Sequence, residues 1–164
     1  MTDSNLITTT DLVKTFTMGS HEFTALNKIN LSFKTGEFSG LVGPSGSGKT
    51  TFLNILGSLD VPTQGKAVVL GHSISELSTK KMAELRNHHL GFIFQTYNLL
   101  AVYTVYENVE LPLLLLKMPE AERKKAVLQS LEWVGLTDKI KSRPAQLSGG
   151  ECQRVSIARA MVKK

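Results

Sequence analysis

The stretch Gly43-Pro44-Ser45-Gly46-Ser47-Gly48-Lys49-Thr50 decides the fold. It fits G-x-x-x-x-G-K-[ST], a loop that wraps phosphate groups in its own backbone N–H donors. The glycines permit backbone shapes closed to other residues, and a helix starting at the loop turns its positive dipole end toward the same anion. Lys49 is expected to reach the β- and γ-phosphates, the Thr50 hydroxyl to ligate Mg²⁺, and Thr51 to add a phosphate contact. The plainer alternative is a glycine-rich turn joining strand to helix. With Gly at about 7% of average usage, that pattern arises by chance in roughly one chain of this length in two hundred.

The flanks supply the context the motif requires. Before it, Phe38 to Val42 is short and largely apolar, as a strand buried on both faces of a parallel sheet would be. After it, Phe52, Leu53, Ile55, Leu56 and Leu59 predict a well-buried helix over 51–59. Further upstream, Leu6 to Phe16 reads as a strand ending at Met18-Gly19-Ser20, and Ile29, Leu31 and Phe33 alternate with polar residues as a second. Downstream, strands are predicted at Lys66–Leu70 and Gly91–Phe94, and helices at Ser78–His88, Pro119–Val134 and from Ser148 onward. The class is α/β with a parallel core sheet, preceded by an antiparallel β portion.

With 164 residues and 41% hydrophobic content, the chain can build a packed core and is neither disordered nor of low complexity. A single Cys excludes a disulfide scaffold, and no Cys or His cluster has metal-ligand spacing. His21, His72, His88 and His89 are expected to be exposed polar residues. The start MTDSNLITTT lacks a basic region followed by an apolar stretch, and Leu111–Leu116 is interrupted by Pro112, so neither a signal peptide nor a membrane span is predicted. A soluble, cytoplasmic protein is expected. The formal charge of +5 comes from scattered basic residues and gives no nucleic-acid footprint.

Leu147-Ser148-Gly149-Gly150-Glu151 is the second motif. Ser148 and Glu151 make S-x-x-E, a capping box, and the glycine-rich helix start also offers unpaired N–H groups to an anion. The run LSGGECQRVSIARA around it closely resembles the signature of ATP-binding cassette (ABC) ATPases. The resemblance extends over nearly the whole chain: GLVGPSGSGKTTFLNILGSLD is similar to the family's Walker A segment, GFIFQTYNLL to its Q-loop, and TVYENVELPL to the helical-subdomain segment that follows. Within the family it looks most like ATPases of lipoprotein-release, macrolide-export and antimicrobial-peptide export systems.

That resemblance implies an ATPase subunit that binds Mg²⁺ and ATP through residues 43–51, pairs with a second cassette as a homodimer, and drives a membrane permease from the cytoplasmic face. It implies a β portion and core over about 1–94, a helical subdomain over about 95–147, and the signature motif and helix over 147–164. Gln95 would contact Mg²⁺ and the attacking water and sense the membrane partner; Phe16 would stack on adenine where most relatives have Tyr. Ser148 and Gly150 would face the γ-phosphate held by Lys49 of the other chain, with Gly149 and Glu151 completing the nucleotide-binding signature. Glu151 stands where Gln is commoner and is not the catalytic base.

Hydrolysis in this family also needs a Walker B strand, an apolar run ending in Asp-Glu, and a switch His. None of Asp3, Asp11, Asp60 and Asp138 follows such a run, and the four histidines all precede the signature. The expectation is a cassette cut short before Walker B that hydrolyses ATP at background rate. The alternative is a nucleotide-binding or dimerising fragment without hydrolytic activity.

Overall fold

The computed structural model describes residues 5–163. It divides into two compact units, one up to Leu85 and one from Arg86 onward, with the boundary inside helix α2 (Thr79–His89).

The first unit is built on a long hairpin. Strands β1 (Asn5–Met18) and β2 (His21–Lys34) turn at Gly19, whose φ of 64° suits a residue without Cβ. A two-residue connection sets Phe16 opposite Phe23, and register shifts on either side of Lys14 then bring Leu12 opposite Ile29. Strand β3 (Gln64–Val69) pairs antiparallel with the other edge of β1, and the short β4 (His72–Ser73) extends the sheet in the order β2-β1-β3-β4. The β1–β3 register shifts between Thr10 and Val13. There Asp11 takes φ 44°, and a Cβ on Gly65 would lie 2.0 Å from the Asp11 carbonyl oxygen, so only glycine lets the strands close at this bulge. Helix α1 (Lys49–Leu56) lays Phe52, Ile55 and Leu56 inward against β2 and β3, where Leu12, Leu26, Ala67 and Val69 are also buried.

The second unit is helical. Its core gathers Val105, Val109 and Leu113 of α3 (Val105–Leu115), Val127 and Leu131 of α4 (Glu120–Trp133), and Val155 and Ala158 of α5 (Gly149–Met161), with Leu136 and Val162. Each fully buried aliphatic side chain contributes about 1.5–3 kcal/mol, so this cluster organises the unit. Asn108 is the polar member: its side chain accepts from Leu100 N at 2.8 Å and donates to the carbonyls of Leu100, Tyr103 and Thr104 at 3.1, 3.2 and 2.9 Å. The amide thereby ties the loop before α3 to its first turns.

Most predicted elements are present with shifted ends: α1 starts earlier than expected and stops at Leu56, before Ser58 with φ 51°. The segments Phe38–Val42 and Gly91–Phe94, expected as buried parallel strands, carry no strand pairing; Phe38 is 101% and Val42 95% exposed, and Ile93 is also exposed. Strand pairing among the described residues is antiparallel throughout. The physical reason is the lack of pairing: a parallel strand exists only through hydrogen bonds to its neighbours, and neither segment is hydrogen-bonded into the described sheet. Helix α3 lies in the segment TVYENVELPL that the resemblance places in the helical subdomain, and it runs through Pro112 to Leu115 from a Thr104–Glu107 capping box.

No helix among the described residues is long and apolar enough to cross a membrane. His21, His72, His88 and His89 are exposed as expected.

Candidate functional site

The loop between Gly43 and Thr50 enters α1 through left-handed glycines, Gly46 at φ 82° and Gly48 at φ 84°. Gly48 is required twice over. A Cβ there would meet the Ala25 carbonyl oxygen at 2.5 Å and Leu26 Cδ2 at 3.0 Å. The loop is thus seated directly on β2, and its N–H groups lead into the N-terminus of α1.

Lys49 folds back across the loop. Its ammonium donates to the carbonyls of Gly43 at 2.7 Å and Pro44 at 2.6 Å, and to Ser47 Oγ at 3.3 Å. Ser47 Oγ in turn donates to Pro44 O at 2.9 Å. A cation held only by exposed carbonyl and hydroxyl oxygens at a loop mouth can exchange them for phosphate oxygens. Thr50 and Thr51 lie in the first turn of α1.

The loop forms one wall of a cleft of about 550 Å³ whose other wall is Phe16, Phe23 and Ala25 of the hairpin. Ser45, Gly46, Ser47, Gly48, Lys49, Thr50 and Thr51 all line it, so the structure brings Phe16 together with the phosphate loop. Gly43 and Pro44 are at the loop's start and meet the cleft through Lys49. The sequence reading did not single out Phe23 and Ala25. Phe23 was accessible in principle, because a two-residue turn at Gly19-Ser20 puts it opposite Phe16. Lys14, also overlooked, sits with its ammonium 5.1 Å from the Phe16 ring centroid.

The second motif belongs to the helical unit. Ser148 caps α5: its Oγ accepts from Glu151 N at 3.2 Å, while Glu151 Oε2 accepts from Ser148 N at 2.7 Å. The bond from the Ser148 backbone, followed by one from the Ser148 hydroxyl to the same carboxylate, holds the Glu151 carboxyl below the usual carboxylate range, with Lys139 and Arg154 adding to the effect. A carboxylate consumed in capping is not free to act as a base. Gly149 and Gly150 form the first helical turn and are exposed. A Cβ on Gly149 would be 3.4 Å from the Tyr97 hydroxyl, and one on Gly150 only 3.9 Å from the flexible Arg154 guanidinium. The chain's own packing therefore gives no reason for glycine at position 150.

Gln95 is exposed, on a turn between Gly91–Phe94 and α3. The turn is fixed from behind. Tyr97 and Asn98 take left-handed φ values of 59° and 47°, and their carbonyls accept from the Arg159 guanidinium of α5 at 2.6 and 2.7 Å. Burial lowers the Arg159 pKa, and Arg keeps its charge because its starting value is so high. Lys163 likewise donates to the carbonyls of Arg86 at 2.8 Å and Leu90 at 2.6 Å, and a Cβ on Gly91 would lie 2.5 Å from Ala160 O. The helix that starts at Ser148 is thus the support for the whole segment carrying Gln95. Cys152 lies on that helix, partly buried, its thiol pushed up by burial and so not an activated nucleophile.

A phosphate-type loop beside an aromatic hairpin, and a helical unit whose last helix opens with a capped Ser-Gly-Gly turn, together mark an ATP-binding cassette. The chain belongs to the ABC transporter family, whose sequence profile matches residues 26–164. It is 46% identical over 151 residues to an uncharacterized ABC transporter ATP-binding protein of Thermotoga maritima, covering 92% of this chain and 64% of that protein. It is 43% identical over 157 residues to the macrolide export ATP-binding/permease protein MacB of Vibrio parahaemolyticus, covering 96% of this chain and 24% of that protein. Among solved structures, the ATP-binding cassette MJ0796, in a dimeric post-hydrolysis state bound to ADP and Pi, matches with a TM-score of 0.89 at 40% identity, over 96% of this chain and 69% of that one. The chain therefore spans from a quarter to about two thirds of the length of these relatives.

Proposed function

We propose that this chain is the nucleotide-binding part of an ABC transporter ATPase that takes Mg²⁺ and ATP in the cleft between residues 43–51 and the Phe16–Phe23 hairpin. The carrying observation is Lys49: its ammonium stands over the loop carbonyls at the start of α1, in the lining of the cleft. The donor set fits a polyphosphate, since a Cβ at Gly48 would push the loop off the strand that holds it in shape. Lys49 would orient the terminal phosphates, the Thr50 hydroxyl would hold Mg²⁺, Thr51 would add a contact, and Phe16 would stack on the base. The metal's contribution is to neutralise charge on the phosphate oxygens. Gln95 stands exposed on a turn that α5 pins, which suits a side chain meant to meet a ligand or a partner.

The partners follow from Gly150. Consecutive glycines in a helix each cost about 1 kcal/mol relative to Ala, and no neighbour within the chain requires the second. A close approach from outside would: the Ser148–Gly150 turn against the γ-phosphate held by Lys49 of a second cassette. The dimeric state of the similar MJ0796 cassette supports this arrangement, and the joining of ATP-binding and permease parts in the name of MacB supports a membrane permease as the driven partner, contacted from the cytoplasmic face. The test is ATP-dependent association by sedimentation. Gly150→Val should leave the melting temperature of the chain within about 3 °C and abolish the ATP-induced dimer; a dimer that survives would remove the second cassette from the account.

Residues 1–164 contain no apolar run ending in Asp-Glu, so none of their carboxylates is assigned as the water-activating base. We expect nucleotide binding with background turnover from these residues alone. Turnover abolished by Lys49→Ala would overturn that assignment.

A further inference from the structure

Phe16 is held in place by an ion pair that its own role does not explain. The Lys14 ammonium donates to Asp60 Oδ1 at 2.7 Å and to Val61 O at 2.8 Å, and lies 5.1 Å from the Phe16 ring centroid. The Lys14 side chain is only 12% exposed, against 31% for Asp60. Asp60 also accepts from Val61 N at 2.7 Å, so the carboxylate, the Val61 peptide and the ammonium form a closed set. Phe16 itself is exposed and lines the cleft, whereas Lys14 does not. The ring therefore borders the cleft, while the cation over its face stands outside the cleft lining.

We propose that Lys14 is a positioning residue for base recognition: it occupies the rear face of Phe16, fixes the ring's orientation, and leaves a single face for a purine. This rests on the cleft taking a nucleotide, as proposed above. The physics has two parts. A cation over a π-face attracts the ring by its quadrupole and, being itself anchored by Asp60 and Val61, prevents the ring from turning. A ring fixed before binding loses less freedom when the base stacks, which raises affinity without a new contact. Tyr at position 16 could be oriented through its hydroxyl. Phe has no such handle, so the cation over its face takes on that task.

The consequence is confined to the base. Inorganic tripolyphosphate needs the 43–51 loop and not Phe16, so it separates the two effects. Affinities of the unsubstituted chain for Mg·ATP and for Mg·tripolyphosphate, measured by titration calorimetry, give a ratio that reports the base contribution. Lys14→Gln, which keeps N–H donors toward Asp60 and Val61 but removes the charge, is expected to lower ATP affinity about fivefold and leave tripolyphosphate affinity unchanged. Lys14→Arg, whose guanidinium also lies well over aromatic rings, should restore the ratio. In a Phe16→Leu background the Lys14→Gln loss should vanish. Equal losses for both ligands, no loss for either, or a loss that persists without the Phe16 ring would each overturn the proposal. If the unsubstituted chain binds tripolyphosphate as tightly as ATP, the base site is wrong while the phosphate loop stands; if it binds neither, the nucleotide reading fails and the proposal with it.

Discussion

Ser148 and Glu151 cap each other: the serine hydroxyl accepts the Glu151 N–H at 3.2 Å and the glutamate carboxylate accepts the Ser148 N–H at 2.7 Å. This reciprocal pair fixes the start of α5, the helix that also holds the Gln95 segment. Ser148→Ala leaves a donor without its partner and should destabilise the chain by about 1 kcal/mol, read as a lowered urea midpoint. Because the hydrogen bonds that Ser148 donates to the carboxylate lower the Glu151 pKa in the folded chain, their contribution is fully present above the ordinary glutamate value and is lost as pH falls through the lowered one. The urea midpoint of the unsubstituted chain should therefore drop more steeply across that acid window than that of Glu151→Gln. Parallel curves would show that the carboxylate has no part in the cap.

Gly46 and Gly48 share a left-handed backbone, but only Gly48 touches anything: a Cβ on Gly46 meets open space, whereas one on Gly48 meets the Ala25 carbonyl. Gly46→Ala should cost about 1–2 kcal/mol from backbone conformation alone. Gly48→Ala must in addition lift the loop from β2, so its thermal midpoint should fall further and ATP binding should be lost. Similar midpoints for the two variants would mean that the loop is not seated on the strand.

Arg159 should matter for order in the Gln95 turn more than for global stability. Its guanidinium binds the Tyr97 and Asn98 carbonyls, which the left-handed backbone turns toward α5. Arg159→Met is expected to raise amide hydrogen exchange across residues 95–100 at least tenfold while leaving α3 and α4 protected. Unchanged exchange at that turn would show that the loop is ordered without α5.

Asn108 is fully buried and meets four backbone groups. Asn108→Leu should destabilise by about 1–3 kcal/mol, because it takes the side-chain partner from the Leu100 N–H and the Tyr103 carbonyl, while the Leu100 and Thr104 carbonyls keep the Tyr103 and Asn108 N–H groups. A denaturation midpoint near that of the unsubstituted chain would mean that water reaches these groups.

The phosphate loop and the capped Ser-Gly-Gly turn were legible because they are local: a handful of residues specify backbone angles and caps without help from the rest of the chain. The β1–β2 hairpin was legible for the same reason, through Gly19. The stretches Phe38–Val42 and Gly91–Phe94 look like core strands in composition, but strand formation is a property of pairs, and composition cannot say whether a partner is present. Lys14 and Arg159 escaped because their work is done on residues brought near by folding, a ring across a bulged strand and two carbonyls far along the chain. Helix α3 was legible through the resemblance of TVYENVELPL to a helical-subdomain segment, and its passage through Pro112 is carried by the Thr104–Glu107 cap and the buried Val105, Val109 and Leu113.

The central claim is that residues 43–51 hold the phosphates of a nucleotide through Lys49. Titration calorimetry with Mg·ATP on the chain and on Lys49→Ala tests it most directly. The account predicts saturable binding by the unsubstituted chain and at least a tenfold loss in Lys49→Ala, with both proteins melting at similar temperatures. Equal affinity in the two proteins would contradict it.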